Sequence, residues 1–469
     1  MARELLDFVH ALSLDAVPGT VIESAKWCLL DALGCGLFGS QQPWAKIMAD
    51  EMLAEGAPGR STVFGHQRTL AAPPAALCNG TSSHGFELDD LLDEAIVHPG
   101  AIVVPAALAA AESVDAPGSR LLLGIIAGYE AMNRVGLALG MEPAHRGFHK
   151  TSVVGPVGAA IAAGVVTNLG PAQLSAAVGL ACSTASGIKS FATGTGGGMM
   201  KRMHCGRPAE AGVRMAQLGA RGFSAPPSAI DGRFGLLEVF GGQGARAELL
   251  AADLGKQWAV ERVFVKVYPC CSWIQATVQQ LVSLRGAAPL QAGEIRKITV
   301  GTNSYAKRIN GELNPIDTMG AQYSIPYCAA VAVTSDPGDP AMYGPAAIDD
   351  AARRELALRV ELVVDKEMEA IYPQHYGARV ALNLANGERR DSVVLDPHGM
   401  PGDPCTEDER LEKFSRLAGS CRQPQEVSAI VNMVRTADTL RSVRALGELL
   451  RIRRSSGMLR FPPAPFRAT

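Results

Sequence analysis

Two stretches of this chain leave little freedom in how they can fold. "PGAIVVPAALAAAE" (Pro99 to Glu112) and "SVVGPVGAAIAAGVVT" (Ser152 to Thr167) repeat small apolar residues at helical spacing and offer no polar face. A helix that is apolar all round is buried on every side, so each needs other helices around it. Related patterns occupy Leu70–Ser82, Ser119–Leu139, Pro171–Ala185 and Pro208–Arg221, and Thr20 with Glu23 reads as a capping box opening another helix. Aromatics make up only 5% of the 469 residues, so alanine, glycine and leucine must do the filling. That suits closely packed helices better than a β-sandwich.

From Arg262 the period changes. "RVFVKVYP" and "IRKITVGTN" alternate as strands do, and "ARVALNLANGERRDSVVL" sets Asn386-Gly387 between two alternating runs, a strong hairpin signal. Helical stretches at Ser272–Leu284 and Gln322–Val333 lie between them. After the turn-rich "DPHGMPGDP", the segments "TEDERLEKFSRLAG" and Gln425–Ile452 return to helix. The expected fold is mainly α with an inserted α+β domain. Residues 1–261 and 399–469 would build the helical domain from both chain ends, and 262–398 the α+β domain.

Charge narrows the partners. Lysine plus arginine (44) nearly balances aspartate plus glutamate (46), so no field points to nucleic acid or a membrane. The basic run Arg451 to Arg460 reads as a solvated helix end and tail. Arg3, Glu4 and Asp7 stand where a signal peptide would need an apolar core, and no uninterrupted apolar run reaches the ~18 residues that span a bilayer. The ten cysteines are scattered without a C-x-x-C spacing, which argues for reduced thiols and against zinc or iron–sulfur ligation. A cytoplasmic protein without metal or other cofactor is expected.

Ionisable chemistry concentrates in "HGFELDDLLDEAIVHPGA", His84 to Ala101, where five acids lie between Glu87 and Glu94. Three readings compete. Asp89, Asp90 and Asp93 match the DDxxD pattern with which prenyl-diphosphate enzymes hold Mg²⁺ on one helix face. A metal-free acid–base site would need histidines and cations from elsewhere. An ordinary solvated loop would need nothing. The diphosphate reading lacks a second acidic motif, and a 5% aromatic content poorly serves the aromatic-lined cavity it would favour.

Cations for the second reading exist. "RGFHKTS" puts His149 just before a small-residue helix, where a cap or a surface position would also explain it. "GTGGGMMKRMHCGRP" clusters Lys201, Arg202, His204 and Arg207 beside glycines, with Pro208 placed as the first residue of a helix whose free N–H groups would suit an anion. It is neither a P-loop nor a dinucleotide turn. "VKVYPCCSW" ends a strand on Lys266, and "AQYSIPYCAA" sets Tyr323, Ser324 and Tyr327 at a helix start.

The order and wording of these segments resemble the MmgE/PrpD family. The likeness runs through "NGTSSHGFELDD…HPGAIVVPAALAAAE", "GFHKTSVVGPVGAAIAAG", "KRMHCGRPAEAGVRMAQLGARGFSAP", "KVYPCCSWIQA", "AQYSIPYCAAVAV" and "DPHGMPGDPCTEDERLEKF", up to about Phe414. It implies a helical domain with a smaller α+β lid, a homodimer, a cleft site and a small di- or tricarboxylate substrate. Activities in the family include 2-methylcitrate dehydratase, cis-aconitate decarboxylase and iminodisuccinate epimerase. Carried over by motif, the catalytic candidates are His98, His149, Glu87 and Tyr327, and the substrate-binding candidates Lys201, His204, Lys266 and Asp90. His98 and His149 would form the acid–base pair, Glu87 or Asp90 would fix an imidazole tautomer, and Tyr327 would donate to a substrate oxygen. Leu91 and Gln275 depart from the family's usual residues. The expected activity is that of a metal-independent lyase, a hydro-lyase of the 2-methylcitrate dehydratase type first, with the decarboxylase and epimerase as alternatives. A non-catalytic carboxylate binder is a remoter reading.

Overall fold

The computed structural model describes residues 1–192 and 194–452. Most of the basic run that begins at Arg451 therefore lies outside the described residues. Seven helices form the first core: Gly19–Gly39, Ala72–Ser83, Gly100–Val114, Gly118–Leu139, Lys150–Val166, Pro171–Cys182 and Met200–Ala220. Their small residues let backbones approach closely. A Cβ on Gly212 would come within 2.3 Å of the Ala159 Cβ, and one on Gly80 within 2.9 Å of the Gly206 Cα. Gly118–Leu139 is long and apolar enough on average to cross a membrane, although polar residues interrupt it, yet 94% of its apolar window is buried in the protein. That is the position of a core helix.

The chain returns to this core at its other end. Helices Glu407–Gly419, Pro424–Arg435 and Arg444–Leu450 contribute Phe414, Ile430 and Leu446 to it. The Gly118 N–H donates to Leu440 and the Gly65 N–H to Leu450. Thr406 caps the first of the three, with Glu409 completing the capping box.

A second core surrounds a four-stranded sheet in the order Val360–Val364, Ile295–Thr302, Ala378–Leu384, Arg389–Val394. The first pair is parallel and the other two antiparallel. The Asn386-Gly387 hairpin joins the last two strands, with Gly387 at φ 93° as its turn requires. Helices Ser272–Arg285 and Ile325–Thr334 belong to this core. The fold is mainly helical with an α+β part, as the sequence pattern implied.

Three local expectations give way. "RVFVKVYP" joins no sheet: Phe264 forms an isolated bridge with Leu91, and the Val265 N–H donates to Gly399. Its extended backbone finds loops as partners because it crosses the seam between the cores. The helix expected from Pro208 starts at Met200 and carries Pro208 inside. Proline removes one hydrogen bond there, while Gly206 and Gly212 pack against neighbouring helices and hold the helix in place. Thr20 lies inside a helix capped by Pro18, and Glu23 pairs with Lys26 at 2.8 Å.

Candidate active site at the seam

The segment after helix Ala72–Ser83 is not helical, so Asp89, Asp90 and Asp93 share no helix face. Instead it folds back on itself. Glu87 sits at φ 57°, and Leu92 and Val97 exchange backbone hydrogen bonds around a turn with Ile96 at φ 54°. A β-branched residue at positive φ is an outlier that the surroundings must enforce. The reversal brings His98 back against Asp89.

Two networks result. In the first, Glu87 accepts from Lys201 at 2.6 Å and from Arg202 at 2.8 Å, with the Lys266 Nζ at 3.9 Å. All four side chains are at most 1% exposed. Burial alone would raise the Glu87 carboxyl, but Lys201, Lys266 and Arg202 outweigh it and hold it far below the usual range. Gln322 braces the assembly by accepting from Arg202 and donating to the Phe86 carbonyl.

In the second network, one oxygen of Asp89 faces two imidazoles, the Nδ1 of His84 at 2.7 Å and that of His98 at 2.9 Å. Its other oxygen lies 3.5 Å from Lys266. Burial would raise Asp89, but His84, Lys266 and His98 keep it well below the ordinary carboxylate value. His149, at the N-cap of helix Lys150–Val166, faces His204 with Nδ1 to Nδ1 at 3.1 Å. One of those nitrogens must carry a proton and the other a lone pair, so the two rings adopt opposite tautomers. The His84 and His149 rings stack at 5.9 Å, which links the pairs.

Burial dominates the titration of all four imidazoles. His84 is pushed down to about 3 and His204 to about 4, while His98 and His149 also fall. At neutral pH they are uncharged bases. Lys266 is raised, because Asp89 and Glu87 more than offset its burial. His84 Nε2, Asp89 Oδ1 and Lys266 Nζ are buried without a good hydrogen bond to any described residue, which is uncommon in a finished core and fits a place that receives a polar ligand. The donor atoms of His84, Asp89 and His98 lie within 4.8 Å of one another, a spacing a metal ion could use. The Lys266 ammonium beside Asp89 already supplies a fixed positive charge there and opposes a second cation.

The residues singled out in the sequence divide accordingly. Glu87, His98, His149, Lys201, His204 and Lys266 come together. Glu87 grips cations rather than an imidazole, and His98 is held by the aspartate pair: its Nδ1 lies 2.9 Å from the Asp89 carboxylate and 3.0 Å from the Asp90 backbone carbonyl, whereas the sequence reading placed Asp89 only in the DDxxD match. The Asp90 side chain faces away and accepts from the Tyr129 hydroxyl at 2.6 Å and the Gly100 N–H at 2.8 Å. Tyr327 is distant in function too: its hydroxyl donates to the Met342 carbonyl inside the second core. Tyr323 stands at the cluster instead, with the Lys201 Nζ 5.1 Å from its ring centre. Both tyrosines lie near one helix start, so the sequence located the region but could not choose between them. His84 was visible only as the residue opening the acidic stretch.

The remaining expectations resolve locally. Glu94 pairs with Arg262 at 2.5 Å and accepts from Asn133, so it is not free in solvent. The Asp93 carbonyl accepts from Tyr376, and burial lifts its carboxyl to about 6. The glycine-rich loop does hold a carboxylate, but one of the chain itself: Gly198 N–H donates to Asp317 at 2.7 Å. Arg207 points outward to Glu210. Gln275 bonds to Tyr268 and to the Cys270 carbonyl, fixing the turn after Lys266. Leu91 is buried in the second core.

Comparison with known proteins gives consistent matches. Residues 3–248 match the MmgE/PrpD N-terminal domain and residues 268–439 the MmgE/PrpD C-terminal domain. The chain is 30% identical to a cis-aconitate decarboxylase-like protein, oryM, of Aspergillus oryzae, over 96% of this chain and 97% of that protein. It is 28% identical to a cis-aconitate decarboxylase of Aspergillus terreus over 96% of both. A 2-methylcitrate dehydratase of Salmonella typhimurium is 23% identical over 84% of this chain and 85% of its own length.

Proposed function

This chain belongs to the MmgE/PrpD family and is an enzyme of the lyase type, and from that premise we propose that it decarboxylates a small unsaturated tricarboxylate of the cis-aconitate kind, without a metal. The observation that carries the reading is the meeting of two buried lysines, Lys201 and Lys266, with four uncharged imidazoles at the seam. Loss of CO₂ leaves its bonding electron pair on the substrate, delocalised toward a neighbouring carboxylate. Fixed ammonium groups in a dry site stabilise that charge as it develops. A proton must then reach carbon. His98 suits this step, because Asp89 at its Nδ1 steadies the imidazolium and a bound polyanion raises its proton affinity.

Dehydration of a 2-methylcitrate-like substrate, the first expectation from sequence, becomes the second reading. It would use the same groups, with a base at the carbon and an acid at the leaving hydroxide. The two Aspergillus relatives match more of the chain at higher identity than the dehydratase does, which supports placing decarboxylation first. We further propose a homodimer, since Phe223 and Phe234 are 58% and 73% exposed and large solvent-facing aromatics favour an interface. Light scattering at the monomer mass would count against it. Ten cysteines without a disulfide fit a reducing, cytoplasmic setting.

The test is NMR in D₂O of EDTA-treated protein with C4–C7 di- and tricarboxylates. Decarboxylation appears as CO₂ release with one deuterium on the product carbon, dehydration as a new alkene without CO₂. No turnover of any of these acids by the EDTA-treated protein would sink the proposal.

A further inference from the structure

Lys189 takes no part in the networks above, yet it shares their wall. Phe148 and Ile188 form an antiparallel bridge, the His149 N–H donates to Gly187 at 2.9 Å, and the Lys189 N–H donates to Gly147 at 2.7 Å. The backbone that carries His149 is therefore stitched to the backbone that carries Lys189. Phe191, on the following turn, packs its ring centre 5.2 Å from His149, 5.5 Å from His204 and 5.9 Å from Tyr323.

The Lys189 side chain reaches into an aromatic box from the second core. Its Nζ lies 4.9 Å from the Tyr305 ring centre and 5.5 Å from that of Trp273, and it donates to the Tyr305 hydroxyl. Rings orient an ammonium without neutralising it. No carboxylate among the described residues pairs with Lys189, whereas Lys201 and Lys266 both face acids. The Cys271 thiol lies within electrostatic reach of all three lysines, so Lys189 borders the same space. An oriented ammonium without a counter-anion is a receptor for one.

We infer that Lys189 receives the outermost carboxylate of a tricarboxylate whose reacting end lies at His98, Lys201 and Lys266, and thereby sets a preference for three carboxylates over two. This rests on the carboxylate reading of the site. Lys189 is a specificity residue in this scheme, with no step of bond breaking assigned to it. Its titration agrees with the role: burial and Arg308 lower the ammonium and Cys271 raises it, leaving it at about 8. The groups facing it are Tyr305 and Cys271, both raised by burial, and the Arg308 cation on the Tyr305 ring at 5.3 Å. Lys189 is thus charged at pH 7 and largely neutral at pH 9.

The experiment is calorimetric titration of the whole protein with tricarballylate and with glutarate, inert acids bearing three and two carboxylates. Lys189→Met keeps the apolar stem in the box and removes the charge. Its expected effect is a loss of about tenfold or more in tricarballylate affinity, the size of one charge-assisted hydrogen bond, with glutarate changed less than twofold. Lys189→Arg restores most of the loss. Should the methionine variant fold poorly, the unmodified protein gives the same answer: its tricarballylate-to-glutarate preference falls between pH 7 and 9. Equal weakening of both acids, or no weakening, assigns Lys189 a purely structural part and overturns the inference while leaving the carboxylate site intact. An unmodified protein that binds neither acid overturns both.

Discussion

Asp89 and Asp90 are neighbours in sequence, identical in chemistry and almost wholly buried, yet they titrate in opposite directions. The chain bends at Asp89 and the two side chains part, so Asp89 enters the seam and Asp90 the helical core. Burial raises both. At Asp89 two imidazoles and the Lys266 ammonium reverse the effect. At Asp90 burial is joined by the repulsion of another acid, Asp31, and hydrogen bonds from Tyr129 and Gly100 offset only part of the cost, so its carboxyl rises to about 7. The seam gathers charge for chemistry, and the core holds a carboxylate that closes a helix start next to His98.

The largest consequence falls on Asp89. Asp89→Asn keeps the shape but removes the charge that steadies a protonated His98. We expect kcat/KM to fall by roughly 10²–10⁴, the scale of a lost acid–base partner, measured by steady-state kinetics with the accepted substrate. Activity within a few-fold of the parent would break the contrast at its functional end. Glu87→Gln acts on stability first, since it leaves three buried cations one carboxylate short. Removing one partner of a buried ion pair costs roughly 3–5 kcal/mol, to be read as a lower urea midpoint. An unchanged midpoint would show that the cations are satisfied without Glu87.

The sequence made one side of this contrast easier to read than the other. Helical period and small-residue content reported the core, because each residue there answers to its immediate helix neighbours. Motif order reported His98, His149, Lys201 and Lys266, which come from distant segments. Which acid meets which base depended on the turn at Ile96 and on the irregular backbone from Glu87 to Asp90, neither of which has a sequence period. That is why the sequence reading kept Asp89 within the DDxxD match and offered the imidazole to Asp90. The same holds for Tyr323 and Tyr327: one lies in the turn before helix Ile325–Thr334 and the other inside it, and only the packing of that turn decides which ring reaches the seam. Pro208 misled for a related reason: proline suits a first helical turn, but dense packing on both sides tolerates it inside.

Asp90 offers a smaller and more diagnostic test through pH. Between its unfolded value of 3.8 and its folded value of about 7, the native protein keeps a proton that the unfolded chain releases. Stability from this group is complete below that window and is lost as pH rises through it. Asp90→Asn removes the linkage, so the plot of unfolding free energy against pH should flatten by up to about 1.4 kcal/mol per pH unit across that range. The matching variant at Asp89 should leave this slope in place, because the folded value of Asp89 lies below the window. Identical slopes in all three proteins would mean that Asp90 is ionised throughout.

The finest test removes only the donor. Tyr129 gives its hydroxyl hydrogen to Asp90 at 2.6 Å. Below about pH 5 the carboxyl is protonated and the bond is an ordinary one, so Tyr129→Phe should cost about 1 kcal/mol. Above pH 8 the carboxyl is ionised, the bond is charge-assisted, and the cost should rise to roughly 1.5–3 kcal/mol. The growth with pH is the discriminating feature, since loss of packing alone would cost the same at both ends. A penalty of roughly 1.5–3 kcal/mol at both ends would show that Asp90 stays ionised in the folded protein, and the two neighbouring aspartates would then differ in their partners but not in their ionisation.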